Sequence, residues 1–179
     1  MAAGDIHVAD WNDYLRNIMN PSLNSTQLAA LKAEIIADPI LNAFPLNSDG
    51  AFAIASALNL PRAPSFTVLR TSIPMSEIGK AMLSSDIANL TTANTNRLGV
   101  LAQYCGGTFS GSNADTWIGF NDIFSAAGAS VTRANLLAAR KRLATRAEAV
   151  IANGTGSDAS PATITSEGAI DYNEVLRAR

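Results

Sequence analysis

Apolar residues recur at steps of three and four along most of this chain, which is the spacing of one face of an α-helix. Proline, glycine and capping residues divide the pattern into separate segments. The predicted helices span residues 5–20, 24–38, 51–58, 76–83, 92–104, 113–124, 130–153 and 171–179, with a short turn at 40–44. Either Asn24 or Ser25 caps the second segment, and either Asn113 or Asp115 caps the sixth. The pattern therefore indicates a mainly α protein.

The longest predicted helix runs from Ser130 to Asn153. Its interior consists largely of Ala, Leu, Arg and Lys, which are strong helix formers, and it contains no proline. Gly154 follows, and glycine commonly ends helices. Its apolar stripe comprises Leu136, Ala139, Leu143, Ala147 and Val150. We expect one helix with an apolar edge to bury and a basic surface beside it.

Two segments have the composition of β-strands. Pro61 and Pro64 disfavour helix, and residues 65–73 are rich in β-branched and aromatic side chains. Residues 162–166 alternate in the same manner. We expect these strands to pair, at about 65–72 with about 162–167. The predicted fold class is mainly α, a compact helical domain with a small two-stranded β element.

The composition favours one domain of a globular protein, spanning residues 1–179. The hydrophobic fraction is 47%, which supports a self-sufficient core, and charged residues make up only 16%, below the usual ~25%. A thinly charged surface is explained by contact with other subunits or, equally well, by a small Ala-rich monomer. The net charge of −2 argues against a chain built to coat nucleic acid.

The sequence excludes several other classes of site and segment. Cys105 is the only cysteine, so an intrachain disulfide and a Cys-rich zinc site are ruled out. The sequence contains no run of about 20 apolar residues, so it predicts no membrane-spanning helix. The first residues carry acids where a signal peptide has basic residues. We expect synthesis in the cytoplasm, without export by the standard route and without membrane association.

Candidates for nucleophilic or acid–base catalysis are few. The only histidine is His7, which we expect to be a surface residue near the terminus. Cys105 lies at the predicted C-terminal end of a helix, and thiolates are stabilised at the opposite end. We interpret Cys105 as a small buried apolar residue, and we expect no catalytic residue.

Neither the glycine-rich loops nor the paired acids fit a cofactor or metal site. Residues 106–112 and 154–157 lack the lysine and the spacing of a phosphate-binding loop. The pairs Asp115 with Asp122 and Asp10 with Asp13 do not match the calcium-binding loop. We interpret them as loops, helix caps and solvated faces, and we expect no metal and no cofactor.

One cluster of basic residues stands out on the predicted long helix. It comprises Arg133, Arg140, Lys141, Arg142 and Arg146. Three interpretations remain open: a solvated or internally ion-paired face, contact with an acidic neighbouring subunit, and contact with the DNA backbone. Arginine suits both kinds of partner because its planar fork binds carboxylates and phosphates at two points. No recognition motif accompanies the cluster, so any DNA contact is expected to be non-specific.

Three stretches resemble a family of proteins encoded among the virion-assembly genes of tailed bacteriophages and prophages. They are LKAEIIADPILNAFPLNSDGAFAIASALN (31–59), PSFTVLRTSIP (64–74) and RKRLATRAEAVIANGTGSDASPATITSEGAIDYNEV (140–175). The resemblance covers most of the chain and departs from the family pattern around residues 84–116. It transfers no catalytic residue.

This resemblance implies a structural role in the virion or in its assembly. The favoured expectation is a head-to-tail connector subunit, an adaptor or neck ring that docks on the portal. Its partners would be portal, tail or neck subunits and further copies of itself in a ring, and it would be assembled into virions in the host cytoplasm. The alternatives are a tail or capsid-surface component, a non-virion assembly chaperone, and an enzyme of unknown type that uses Cys105.

Overall fold

A computed structural model of the protein describes residues 23–125 and 128–179. The predicted helix at 5–20 and His7 lie outside these ranges. Within them the chain forms ten α-helices: α1 Ser25–Ala37, α2 Pro39–Asn42, α3 Ser48–Leu58, α4 Met75–Ala81, α5 Ser84–Ala88, α6 Thr92–Tyr104, α7 Ala114–Ile123, α8 Ser130–Ala139, α9 Arg146–Ile151 and α10 Tyr172–Ala178. The predicted fold class, mainly α with a small β element, is confirmed.

Four short strands form two antiparallel pairs in the described part of the chain. They are β1 Thr67–Leu69, β2 Ile73–Pro74, β3 Thr108–Phe109 and β4 Lys141–Leu143. β1 pairs with β4 in a register that sets Val68 opposite Arg142. β2 pairs with β3, with Ile73 opposite Phe109.

The described residues divide into two compact units. The first unit is formed by residues 23–60, 145–151 and 166–179, and the second by residues 61–125, 128–144 and 152–165. Each unit contains its own hydrophobic core. The expectation of a single domain over residues 1–179 stays a prediction.

The first unit is built from α1, α3, α9 and α10, which pack against one another. Asn24 caps α1 and forms a reciprocal capping box with Gln27, so the first of the two predicted caps is the one used. The same device begins α10, where Asp171 and Glu174 exchange hydrogen bonds as their spacing predicts. The fully buried large residues of this unit are Leu31, Leu41, Ile54, Leu58 and Val175.

The core of the second unit is aromatic. Trp117, Phe120, Ile123 and Phe124 on or beside α7 are buried, as predicted, and Asn113 is the cap of this helix. The ring of Phe120 lies 5.3 Å from that of Phe109 and 5.5 Å from that of Trp117. α4 packs against α8, and α6 packs against α7. The helical bounds predicted for α6, Thr92 to Tyr104, are those observed.

The prediction of one helix from Ser130 to Asn153 is wrong. α8 ends at Ala139, Lys141–Leu143 form strand β4, and α9 begins at Arg146. All three residues of β1 are buried, so their backbone groups need hydrogen-bonding partners inside the protein. Outside the paired residues, Arg70 N–H donates to the Arg140 carbonyl (3.0 Å) and Ala144 N–H donates to the Phe66 carbonyl (2.8 Å). Strand pairing therefore overrides the helix propensity of this segment.

The predicted pairing of residues 162–166 with β1 is reduced to a single parallel bridge between Val68 and Ala162. Ala162 N–H donates to the Thr67 carbonyl at 2.9 Å, and Leu69 N–H donates to the Ala162 carbonyl at 2.8 Å. The strand therefore has β4 on one edge and Ala162 on the other. The main partner of β1 is β4, a segment that the sequence pattern predicted to be helical.

No helix in residues 23–125 or 128–179 combines the length and the hydropathy that crossing a membrane requires.

Candidate interaction surface

The five basic residues of the predicted cluster do not share a helix face. Arg133 lies in α8, Arg140 immediately follows it, and Lys141 and Arg142 lie on β4. Arg146 begins α9 and belongs to the first unit, whereas the other four belong to the second. The expected continuous basic helical surface is therefore absent from the described residues, because the helix that would carry it is interrupted by a strand.

Arg146 pairs with two carboxylates of the first unit. Its Nε lies 2.7 Å from Glu34 Oε1, and its Nη2 lies 2.6 Å from Asp38 Oδ2. The hydrogen bond from Arg146 holds the pKa of Asp38 below its ordinary value, and the backbone N–H groups of Leu41 and Ile40 add to this effect. Arg146 therefore connects α9 to α1 and to the cap of α2.

Arg140 supports a loop of the second unit. Its Nε donates to the Gly111 carbonyl at 2.5 Å, and its guanidinium carbon lies 5.5 Å from the centre of the Trp117 ring. Such a position over an aromatic ring is favourable for a cation. Burial lowers the pKa of the Arg140 guanidinium.

The other three basic residues also donate hydrogen bonds within the second unit. Lys141 Nζ lies 2.6 Å from Asp158 Oδ1. Arg133 donates to the Phe124 carbonyl, and Arg142 Nη1 donates to the Leu143 carbonyl at 3.0 Å. Intrachain pairing is thus the interpretation of the basic cluster that these contacts favour.

Cys105 is the C-terminal cap residue of α6. It is half-buried against the aromatic core, and its Sγ lies 4.0 Å from Thr116 Oγ1. These contacts fit the interpretation of Cys105 as a small packing residue.

An open groove of about 550 Å³ lies between α6 and α7. We call it the α6–α7 groove. It is lined by Asn96, Arg97, Val100, Leu101, Tyr104, Gly119, Asp122 and Ile123. A groove of this size is within the range of binding sites, about 300–1,000 Å³.

The groove exists because α6 covers the core with only one of its faces. Leu98, Leu101 and Cys105 pack against the aromatic core, yet this helix contains no fully buried residue. Val100 and Tyr104 do not belong to the face that packs on the core, and they are 64% and 88% exposed. Adjacent exposed apolar side chains in a concave surface are typical of a binding site for another molecule.

Two opposite charges line the groove together with its apolar residues. Arg97 belongs to α6 and Asp122 to α7, and both are exposed. Neither side chain has a hydrogen bond or an ion pair with any residue that the structure describes. The groove therefore combines apolar residues with one cation and one anion that are available to a partner.

The sequence contains a signal for this groove, namely two apolar stripes on α6. Leu98, Leu101 and Cys105 form one helical stripe, and Val100 with Tyr104, four residues apart, begins a second stripe beside it. The spacing alone allows either Tyr104 or Cys105 to complete the inward face with Leu98 and Leu101. The structure selects Cys105, which leaves Tyr104 exposed. A helix with two apolar stripes and one neighbour leaves one stripe uncovered.

A scan against protein families, a search of curated proteins and a search of solved structures each found no match for this chain.

Proposed function

We propose that this protein is a structural component of a tailed-bacteriophage virion, and specifically a head-to-tail connector subunit of an adaptor or neck ring that docks on the portal. The observation that carries the protein-binding part of the proposal is the α6–α7 groove, with its exposed apolar residues and two charges that no described residue pairs. The resemblance of residues 31–59, 64–74 and 140–175 to a phage virion-assembly family supplies the biological context.

The groove favours a protein partner. Its lining is mostly apolar and carries one cation and one anion on different helices rather than a cluster of titratable groups. Burying exposed groups such as Val100 and Tyr104 against another protein removes apolar surface from water, which stabilises the complex. The charges Arg97 and Asp122 then fix the orientation of the partner rather than supply most of the affinity.

A concave surface also suits a ring. Rings form through heterologous contacts, in which a surface of one subunit binds a different surface of the next. A groove receives a protruding counterpart, and a different surface of the next subunit can supply it. The proposed location is the virion, after assembly in the host cytoplasm, and the proposal includes no substrate and no cofactor.

The decisive experiment measures whether the protein is part of the particle. Quantitative mass spectrometry of purified virions should find many copies per particle. Purified protein should cosediment with portal rings and enter oligomers in their presence. Absence from the virion would overturn the proposal in favour of an assembly chaperone, and a strict monomer that ignores portal and tail components would overturn it as well.

A charged substitution in the α6–α7 groove tests whether the groove carries the proposed function. Val100→Asp should lower the number of copies per particle about tenfold or more, because the contact would remove the new carboxylate from water, which costs free energy. The matched control is Val131→Asp, which makes the same substitution at a 51% exposed valine on α8. Equal incorporation of the two variants would exclude the groove as the surface that carries the function.

A further inference from the structure

We propose that the α6–α7 groove binds the N-terminal segment, residues 5–20, of a neighbouring copy of this chain. The inference rests on the proposed function and extends it, since it names the partner of the groove within the ring. The segment lies before the first described residue, and its apolar spacing predicts a helix. Its apolar edge comprises Val8, Trp11, Leu15 and either Ile18 or Met19.

The segment is longer than the groove, whose α6 residues run from Asn96 to Tyr104. At 1.5 Å per residue, a helix from residue 5 to residue 20 is about 24 Å long. α6 has 13 residues and is therefore about 20 Å long. The segment can accordingly follow the whole of α6, with its apolar edge placed over the groove.

The chemistry of the two surfaces is complementary. An amphipathic helix binds an apolar groove through anchors spaced three and four residues apart, which is the spacing of Val8, Trp11 and Leu15. The groove offers Val100 and Tyr104 to such anchors. Aromatic side chains such as that of Trp11 contribute much of the energy at protein interfaces, because they bury large apolar areas.

The charges of the segment match those that line the groove. With 100° per residue, Asp10 and Arg16 lie on opposite sides of the apolar edge. In one of the two directions along the groove, Asp10 approaches Arg97 while Arg16 approaches Asp122. In the reverse direction like charges meet, so the charges select a single direction of binding.

The attachment point of the segment allows an exchange between copies. Leu23 is buried, its N–H donates to Glu174 Oε1 at 3.1 Å, and its carbonyl accepts from Arg177 Nη2 at 3.2 Å. Each segment therefore starts from a fixed point on the first unit. A copy that donates its segment to one neighbour and receives the segment of another forms a heterologous contact, which is the type that generates rings.

Disulfide trapping in the full chain tests the proposal. In a Cys105→Ser background, Leu15→Cys is combined with Val100→Cys, and mild oxidation is followed on a denaturing gel. We expect bands of two and more linked copies, since a disulfide requires the two Cα atoms to come within about 7 Å. The control combines Leu15→Cys with Leu46→Cys, a residue of the first unit that is 86% exposed. Linkage no faster than in the control, or linkage only within single chains, would overturn the inference.

A second measurement does not depend on trapping. Trp11→Ala and Val100→Asp should each weaken self-association at least tenfold in light-scattering titrations, whereas Val131→Asp should leave it unchanged. Far-UV circular dichroism verifies that each variant is folded. Self-association that is indifferent to both changes would contradict the proposed contact.

The outcomes separate this inference from the proposed function. Abundant copies in the virion together with failed trapping would mean that another virion protein fills the groove, so the function stands and the inference fails. Absence from the virion would refute the function, whatever the trapping experiment shows.

Discussion

At the scale of single residues, one glycine of the second unit is required by the close approach of three chain segments. Gly111 N–H donates to the Arg70 carbonyl at 2.7 Å, and the Gly111 carbonyl accepts from Arg140 Nε. A Cβ at Gly111 would lie 2.5 Å from the Arg140 carbonyl oxygen and 2.7 Å from the Arg70 carbonyl oxygen. The sequence predicted a flexible loop over residues 106–112, but the close contact depends on strand segments whose positions it did not reveal.

Gly111→Ala should therefore destabilise the protein. The methyl group meets backbone atoms, which cannot rotate away, so we expect a loss of about 1–3 kcal/mol in the free energy of unfolding. Urea denaturation followed by circular dichroism measures this change. Gly99→Ala is the control, because a Cβ at Gly99 in α6 meets nothing within 4 Å. That variant should be stabilised by about 0.5–1 kcal/mol through helix propensity. Equal effects of the two changes would contradict the close contact at Gly111.

The ion pair of Asp38 and Arg146 predicts how the stability of the protein depends on pH. The pKa of Asp38 is lowered in the folded protein by its hydrogen bond from Arg146. The stabilisation is therefore present above the ordinary Asp pKa of about 3.9, and it is lost as the pH falls through the lowered pKa. Arg146→Met should reduce the urea midpoint at neutral pH, and the difference from the wild type should shrink steadily as the pH is lowered through the acidic range. A difference that stays constant down to the acid-unfolded state would exclude this coupling.

At the scale of elements, the helix termini were predictable because they are local. Asn24, Asn113 and Asp171 cap the helices that their spacing predicts. The break between α8 and α9 was missed although the sequence contained a local signal for it. Thr145 and Glu148 have the spacing of a capping box, and they form one, with Thr145 N–H donating to Glu148 Oε2 and Glu148 N–H donating to Thr145 Oγ1. The residues between the helices join a strand that is distant in sequence, which periodicity does not show.

Substitutions of Glu148 measure how much this capping box contributes to the stability of the protein. It is 3% exposed, and its two oxygens accept from Thr145 N–H at 3.0 Å and from Gly168 N–H at 3.2 Å. Glu148→Ala leaves both donors without this acceptor, so we expect a loss of about 2–3 kcal/mol in the free energy of unfolding. Glu148→Gln retains one carbonyl acceptor and should lose about 1 kcal/mol. If thermal or urea unfolding gave the same stability for both variants as for the wild type, the carboxylate would have no structural role.

At the scale of the whole molecule, the functional surface was less predictable than the fold. The basic cluster was prominent in the sequence because five of the thirteen Lys and Arg residues fall between Arg133 and Arg146. Density along the chain did not translate into one helical face, since a strand and the start of a new helix separate these residues. The α6–α7 groove was missed for the converse reason. Its walls come from two helices whose relative placement is set by the aromatic core and not by local spacing.

The same arrangement predicts weak binding to DNA. Arg146 and Lys141 are paired with carboxylates, Arg133 and Arg140 donate to carbonyls, and the net charge is −2. Binding to phosphates would compete with these contacts. We therefore expect a slope of log K against log salt no steeper than about −2, since each phosphate contact contributes about −0.9. Fluorescence anisotropy with a short duplex between 50 and 200 mM salt, a range in which counterion release is measurable, provides the measurement. A slope near −4.5, the value expected for five phosphate contacts at about −0.9 each, would mean that the five residues bind DNA together. The slope should also be the same for Arg142→Ala, because a single side chain on β4 does not form a phosphate-binding surface by itself.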